Sequence, residues 1–136
     1  MVMTLEADYA VRIVEMLAQS DLKIDARTIS MQTQVPVRFA LKILRKLVAG
    51  GLIVSYKGAH GGYALARKPG KITLRQVIES VEGPYMISRC QQDEYSCNHA
   101  NCRVHDIYNE ISLLVRSKLD SYTFEPSEAP RKAVKF

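Results

Sequence analysis

No apolar run long enough to enter or cross a membrane opens this 136-residue chain, because its first stretch, MVMTLEADYAVRIV, is interrupted by Glu6 and Asp8. That argues against a secretory leader and a membrane span, and it predicts a cytoplasmic protein with no membrane partner. Cysteine is scarce: three residues, an odd number that cannot complete a disulfide framework within one chain. No C-x-x-C pair is present and no cysteine sits in a nucleophile motif, so a thiol-dependent oxidoreductase or hydrolase has little support. Internal repeats and low-complexity tracts are also lacking. What remains is an ordinary globular composition, 47% hydrophobic, sufficient for one compact domain with an appended helix or tail. A net charge of +5 points to an anionic partner, although charge carries weight only through its distribution along the chain.

Thr4 is placed to cap a first helix reaching about Gln19, with Glu6 in its first turn. Leu5, Tyr9, Ile13, Met16 and Leu17 make one apolar stripe and Ala7, Val11, Val14 and Ala18 a second, so this helix is mostly buried. Its polar side holds Asp8, which reads most simply as a surface acid paired with Arg12 one turn on. Asp25 caps a short helix through Thr33, Gln34 and Val35 turn the chain, and Pro36 fits the first turn of VPVRFALKILRKLVAG. The inner side of that helix is Phe39, Ala40, Ile43, Leu44 and Leu47; its outer side is Arg38, Lys42, Arg45 and Lys46. This order matches a helix-turn-helix whose second helix enters the major groove, and equally a solvated basic face on a helical hairpin.

The following residues favour the first of these. Gly50–Gly51 ends the helix, LIVSY begins an extended segment, and a tip of Lys57-Gly58-Ala59-His60-Gly61-Gly62 returns through Tyr63-Ala64-Leu65-Ala66-Arg67. A hairpin after a recognition helix is a wing, where three glycines let the backbone approach phosphates and Lys57, His60 and Arg67 supply charge. His60 reads equally well as a plain solvent-exposed loop residue. Thr73 and Gln76 form a capping box for a helix with Leu74, Val77, Ile78 and Val81 inward, and Gly83–Pro84 stops it.

A polar, irregular segment then leads to CQQDEYSCNHANCRVH, which holds every cysteine: Cys90, Cys97 and Cys102. In a reducing compartment such a cluster binds metal or does redox chemistry more readily than it forms a disulfide. Tetrahedral zinc or an iron–sulfur cluster needs four ligands, so one is missing. His105, one helical turn after Cys102, is the nearest candidate and Asp8 a distant one. Spacing alone does not separate a closed Cys3His zinc site from a cluster. From about Asn101 a last helix runs to Tyr122 with Val104, Ile107, Tyr108, Ile111, Leu114, Val115, Leu119 and Tyr122 near heptad spacing. Such a helix is best buried against a second copy, which predicts a homodimer reading a palindromic double-stranded DNA operator. TFEPSEAPRKAVKF lacks periodicity and is expected to be a mobile tail.

Taken together, AGGLIVSYKGAHGGYALAR, ITLRQVIESVEGP, the three-cysteine loop and the terminal helix resemble the Rrf2 family of bacterial transcription regulators from Met3 to about Phe124. The resemblance implies a mainly α fold with a small β-hairpin: a winged helix-turn-helix over 1–83, a cluster-binding loop over 84–101, a dimerisation helix over 102–122 and a tail over 123–136. It also implies an iron–sulfur cluster, [2Fe-2S] or [4Fe-4S], whose state controls DNA binding. Cys90, Cys97 and Cys102 match the three family cysteines. His105 stands where assembly-regulating members have their histidine ligand, and Asp8 where nitric-oxide sensors have an aspartate from the partner subunit. Two departures are visible: the cysteine spacing is C-x6-C-x4-C where the family usually has five and five, and the wing tip has Lys57 in place of an arginine. Lysine keeps the charge but loses bidentate recognition. An interaction module that had lost DNA binding would not be expected to keep Arg38, Lys42 and Arg45.

Overall fold

Thr4 opens the first helix as its capping chemistry predicts. In a computed structural model, which describes residues 2–94, 97 and 100–126, its hydroxyl accepts from the Ala7 amide at 3.2 Å and α1 spans Leu5–Ala18. The chain continues through α2 (Ala26–Thr33), α3 (Val37–Ala49), a hairpin of β1 (Ile53–Tyr56) and β2 (Gly62–Leu65), α4 (Leu74–Glu82) and α5 (Arg103–Asp120). Short 3-10 turns lie at Pro69–Lys71 and Arg89–Gln91. One core runs through the first four helices and the base of the hairpin, with Ile13, Ile29, Ile43, Leu44, Leu47, Ile53, Ile72 and Val77 fully enclosed. Ala7 and Ala10 are buried beside them, and their small side chains let α1 lie close against α2, α3 and α4.

The turn between α2 and α3 rests on Gln34, in the left-handed region at φ 58, and on Ser30, whose hydroxyl donates to the Val35 carbonyl at 2.6 Å. Pro36 occupies the N-cap of α3 and not its first turn. Ala40, Ile43, Leu44 and Leu47 are buried as expected, but Phe39 is 49% exposed. It lies about 100° round the helix from Ala40, so it reaches the α1 edge and meets the Tyr9 ring edge-on at 6.3 Å instead of entering the core.

The hairpin is antiparallel with Ile53 opposite Leu65 and Tyr56 opposite Gly62. Its outer edge pairs with Ile24, which exchanges hydrogen bonds with Tyr63 at 3.0 and 2.8 Å. That contact explains Gly62: a Cβ there would stand 2.9 Å from the Ile24 backbone. Gly61 is likewise pressed against the Tyr56 carbonyl oxygen, so these two glycines serve the fold of the wing, and only Gly58 has open space beside it for a phosphate. The capping box of α4 forms in full, with Gln76 N–H donating to the Thr73 hydroxyl at 3.1 Å and Thr73 N–H to Gln76 Oε1 at 3.0 Å.

The expected mobile tail is corrected over its first residues. Thr123 pairs with Thr73, the Leu74 amide donates to the Tyr122 carbonyl at 2.9 Å, and the Phe124 amide reaches the Pro69 and Ile72 carbonyls at 3.2 Å. The Phe124 ring packs on the core, which supplies the apolar burial that a proline-rich stretch otherwise lacks. The rest of the expected tail, 127–136, lies outside the described residues. Replacing Phe124 by Ala is expected to cost about 1–3 kcal/mol of stability, read from the urea midpoint. A loss below about 0.5 kcal/mol, typical of an exposed site, would place Phe124 outside the folded unit.

Candidate DNA-binding face and cysteine loop

Opposite its buried side, α3 presents Arg38, Lys42 and Arg45, all exposed, within an arc of the helix surface. Neither Arg38 nor Arg45 makes an ion pair among the described residues, so both guanidinium groups face water. Lys46, expected on the same outer side, is instead turned inward: its ammonium lies 2.7 Å from Glu6 Oε1 on α1 and donates to the Val81 carbonyl at 3.2 Å. Lys42 is looser, 3.7 Å from the same carboxylate. Glu6 Oε1 is shut off from solvent and the ammonium approaches it off the direction of a regular hydrogen bond, which leaves an ion pair by distance. The Lys46 contact above all, against a smaller opposing effect of burial, holds the Glu6 carboxyl below its ordinary value. Glu6 thus ties α3 to α1, a role beyond the helix-dipole acid legible in the sequence.

On the wing, Lys57, His60 and Arg67 are exposed. Lys23, which sequence reasoning missed, joins them: pairing of Ile24 with Tyr63 carries its ammonium over the Tyr56 ring at 4.2 Å. No local pattern around Lys23 announces this, because the contact follows from a β-bridge 39 positions away.

The cysteine loop is less irregular than its composition implies. Ser88 caps the Arg89–Gln91 turn, and half-buried Cys90 has its Sγ 3.2 Å from the Ser88 hydroxyl. Across the loop His105 Nδ1 comes to 3.4 Å from the same sulfur. The sequence placed His105 one turn from Cys102; the fold makes Cys90 its neighbour. Cys102 stands at the N-cap of α5, its carbonyl accepting from the His105 amide at 3.1 Å, and Cys97 is exposed. Among the described residues no three metal-binding side chains are gathered at one point; the residues flanking Cys97, His99 included, are outside them. Asp8 makes its 2.8 Å pair with Arg12, as its plain reading predicted.

The stripe on α5 is divided. Tyr108, Ile111, Val115 and Leu119 are half-buried, whereas Val104, Ile107 and Leu114, with Leu113 beside them, are exposed. Ser112, within the same stretch, is 1% exposed.

Comparison with known proteins places this arrangement. The Rrf2 family profile, described as an iron-dependent transcriptional regulator, matches residues 3–126. The chain belongs to the Rrf2 family. Protein rrf2 of Nitratidesulfovibrio vulgaris is 28% identical over 126 residues, covering 90% of this chain and 84% of that protein. The regulator IscR of Xenorhabdus nematophila is 29% identical over 97 residues, 71% of this chain and 59% of its own length. Among solved structures, T. potens IscR superposes with a TM-score of 0.73 at 21% identity over 91% of this chain and 83% of its own. CymR, the global cysteine regulator of B. subtilis, gives 0.75 at 23% identity over 92% and 94%. Membership makes this Rrf2 protein a winged-helix, DNA-binding transcriptional regulator and not an enzyme.

The lowered Glu6 carboxyl fixes a pH dependence. Its folded pKa lies below the unfolded value, so the pair with Lys46 stabilises fully above the unfolded value and is lost as pH falls through the folded one. Glu6→Gln is expected to lose about 0.5–1 kcal/mol at pH 7 and close to nothing once the native carboxyl is protonated. Urea titrations of both proteins at neutral and strongly acidic pH measure this, and an undiminished gap in acid would assign the effect to packing.

Proposed function

We propose that this Rrf2 protein is a homodimeric regulator whose operator binding is switched by an iron–sulfur cluster held by Cys90, Cys97, Cys102 and His105. The observation that carries the reading is the 3.4 Å approach of His105 Nδ1 to Cys90 Sγ, two candidate ligands 15 positions apart in sequence. Three thiols and an imidazole form a donor set suited to such a cluster, and the contact between two of these side chains beside the start of α5 supports the reading. A cluster bound there would supply a redox-active, ligand-sensitive centre whose gain or loss changes how the loop is held. Asp8 is the alternative fourth ligand, and its pair with Arg12 would have to open first.

The Cys90–His105 contact also suits a reactive thiol without metal, the reading favoured by likeness to CymR proteins, of which that of Staphylococcus aureus has been solved in an oxidized form. Anaerobic purification with iron and acid-labile sulfide assay separates the two. Iron with sulfide supports the cluster; neither, with a Cys90 that oxidises reversibly, supports the thiol; and zinc without sulfide would make the site structural. Comparing His105→Ala and Asp8→Ala tests the fourth ligand: a changed visible spectrum is expected in the first and a native one in the second.

Exposed Val104, Ile107, Leu113 and Leu114 on α5 form an apolar stripe that a second copy would cover, and two recognition helices about a two-fold axis would suit a palindromic operator. Within each subunit Arg38, Lys42 and Arg45 would enter the major groove while Lys57, with His60 and Arg67, follows the backbone at the wing. Alanine at Arg38, Lys42, Arg45 and Lys57 together is expected to abolish specific binding and lower the salt slope by about one per phosphate contact removed. Native affinity in that variant would refute this docking.

A further inference from the structure

We propose that Gln91 is a positioning residue that clips the Cys90 turn to α5 and holds Cys90 against His105 before any cluster is present; this rests on the cluster reading above. Its side chain uses both ends. Oε1 accepts from the Ile87 and Ser88 amides, each at 3.0 Å, and from the Ser112 hydroxyl at 3.0 Å. Nε2 donates to the Tyr108 carbonyl at 3.3 Å and to Asn109 Oδ1 at 3.0 Å. Ser112, polar yet fully buried in an otherwise apolar stretch, also receives the Ile87 amide at 3.1 Å. One amide therefore gathers the backbone before Cys90 and two turns of α5 into a single network.

The geometry explains why this matters for the neighbouring sulfur. Cys90 precedes Gln91 in a three-residue turn, and His105 lies one helical turn before Tyr108 and Asn109, so fixing Gln91 to α5 sets the separation of the two candidate ligands. The far end of the segment is held separately: the Tyr85 amide donates to Glu79 Oε1 on α4 at 2.9 Å, and the Arg116 guanidinium donates to the Tyr85 carbonyl at 2.8 Å through Nε. Residues 85–91 are thus strapped at both ends. Only the Gln91 end bears on Cys90. Removing its amide leaves the Ser88 N–H and the Ser112 hydroxyl without their acceptor in a half-buried site and leaves the Ile87 N–H with Ser112 alone, a cost that loosens the turn.

The test begins with metal-free, reduced protein. Alkylation of Cys90 and Cys97 by iodoacetamide is followed by peptide mass spectrometry in the native chain, Gln91→Leu and Gln91→Glu. Native Cys90 is expected to react more slowly than exposed Cys97; Gln91→Leu should raise the Cys90 rate about tenfold with Cys97 unchanged, and Gln91→Glu, which keeps the acceptor and loses the donors, should fall between. Equal Cys90 rates in native and Gln91→Leu protein would overturn the proposal. Hydrogen exchange in the native chain gives a reading that survives misfolding of a variant, since Ile87 and Ser88 amides must be protected, and free-peptide rates there would also overturn it. On reconstituted protein, iron loss in air should be several-fold faster in Gln91→Leu than in native. The double variant with His105→Ala should be no faster than His105→Ala alone; additive acceleration would show that Gln91 does not act through this pair. Native protein that takes up no iron and sulfide while Cys90 protection still depends on Gln91 would sink the cluster reading and leave the clip standing.

Discussion

The close approach of α1 to three other helices is the constraint on which the DNA-binding unit depends. Ala7 and Ala10 have only a methyl group to hold neighbours apart, and with Ile13, Val14 and Leu17 they are buried between α2, α3 and α4. A larger residue at either alanine would push the packed helices apart, and the geometry of the unit that carries α3 and the wing would go with it. Glu6 at the start of the same helix adds a directional element, taking Lys46 from α3 while the Thr4 hydroxyl contacts Glu82 at the end of α4. Charge on α3 is thereby sorted: Lys46 serves the fold, and Arg38 and Arg45 are left to solvent.

The cysteine loop is governed by different physics. Its described residues have little apolar burial, so order comes from polar groups that satisfy one another: Gln91 and Ser112 at one end, Glu79 and Arg116 at the other. Glu79 also pairs with Arg75 at 3.2 Å, and Arg75 reaches Asp120 at 2.7 Å near the end of α5. Helix α4 is therefore linked to α5 and to the loop by a continuous chain of charged and polar contacts. Polar networks of this kind hold geometry while contributing modest net stability.

Much of the architecture was legible because it is written locally. Thr4, the Thr73–Gln76 box and Gly83 marked helix ends to within a residue, and the period of Ala40, Ile43, Leu44 and Leu47 marked the buried side of α3. Phe39 was misplaced because a periodic pattern does not say how wide the buried arc is. The stretch after α5 was misread because its polarity hid one aromatic residue, Phe124, that docks on the core by pairing with a segment some fifty positions earlier. The glycines at the wing looked like openings for phosphate, and two of them prove to be answers to crowding by Ile24 and Tyr56.

Of the candidate site, the sequence by itself determined the donor types, their order and the cationic residues of α3 and the wing, since composition and helical spacing are properties of neighbouring residues. The family also followed from motifs of that kind. Only the tertiary structure decided which cations remain free, because pairing with Glu6 depends on where α1 packs. It alone brought His105 to Cys90, and Lys23 to the wing. These are contacts between residues distant in the chain, set by the burial of helices around a shared core and not by any local preference.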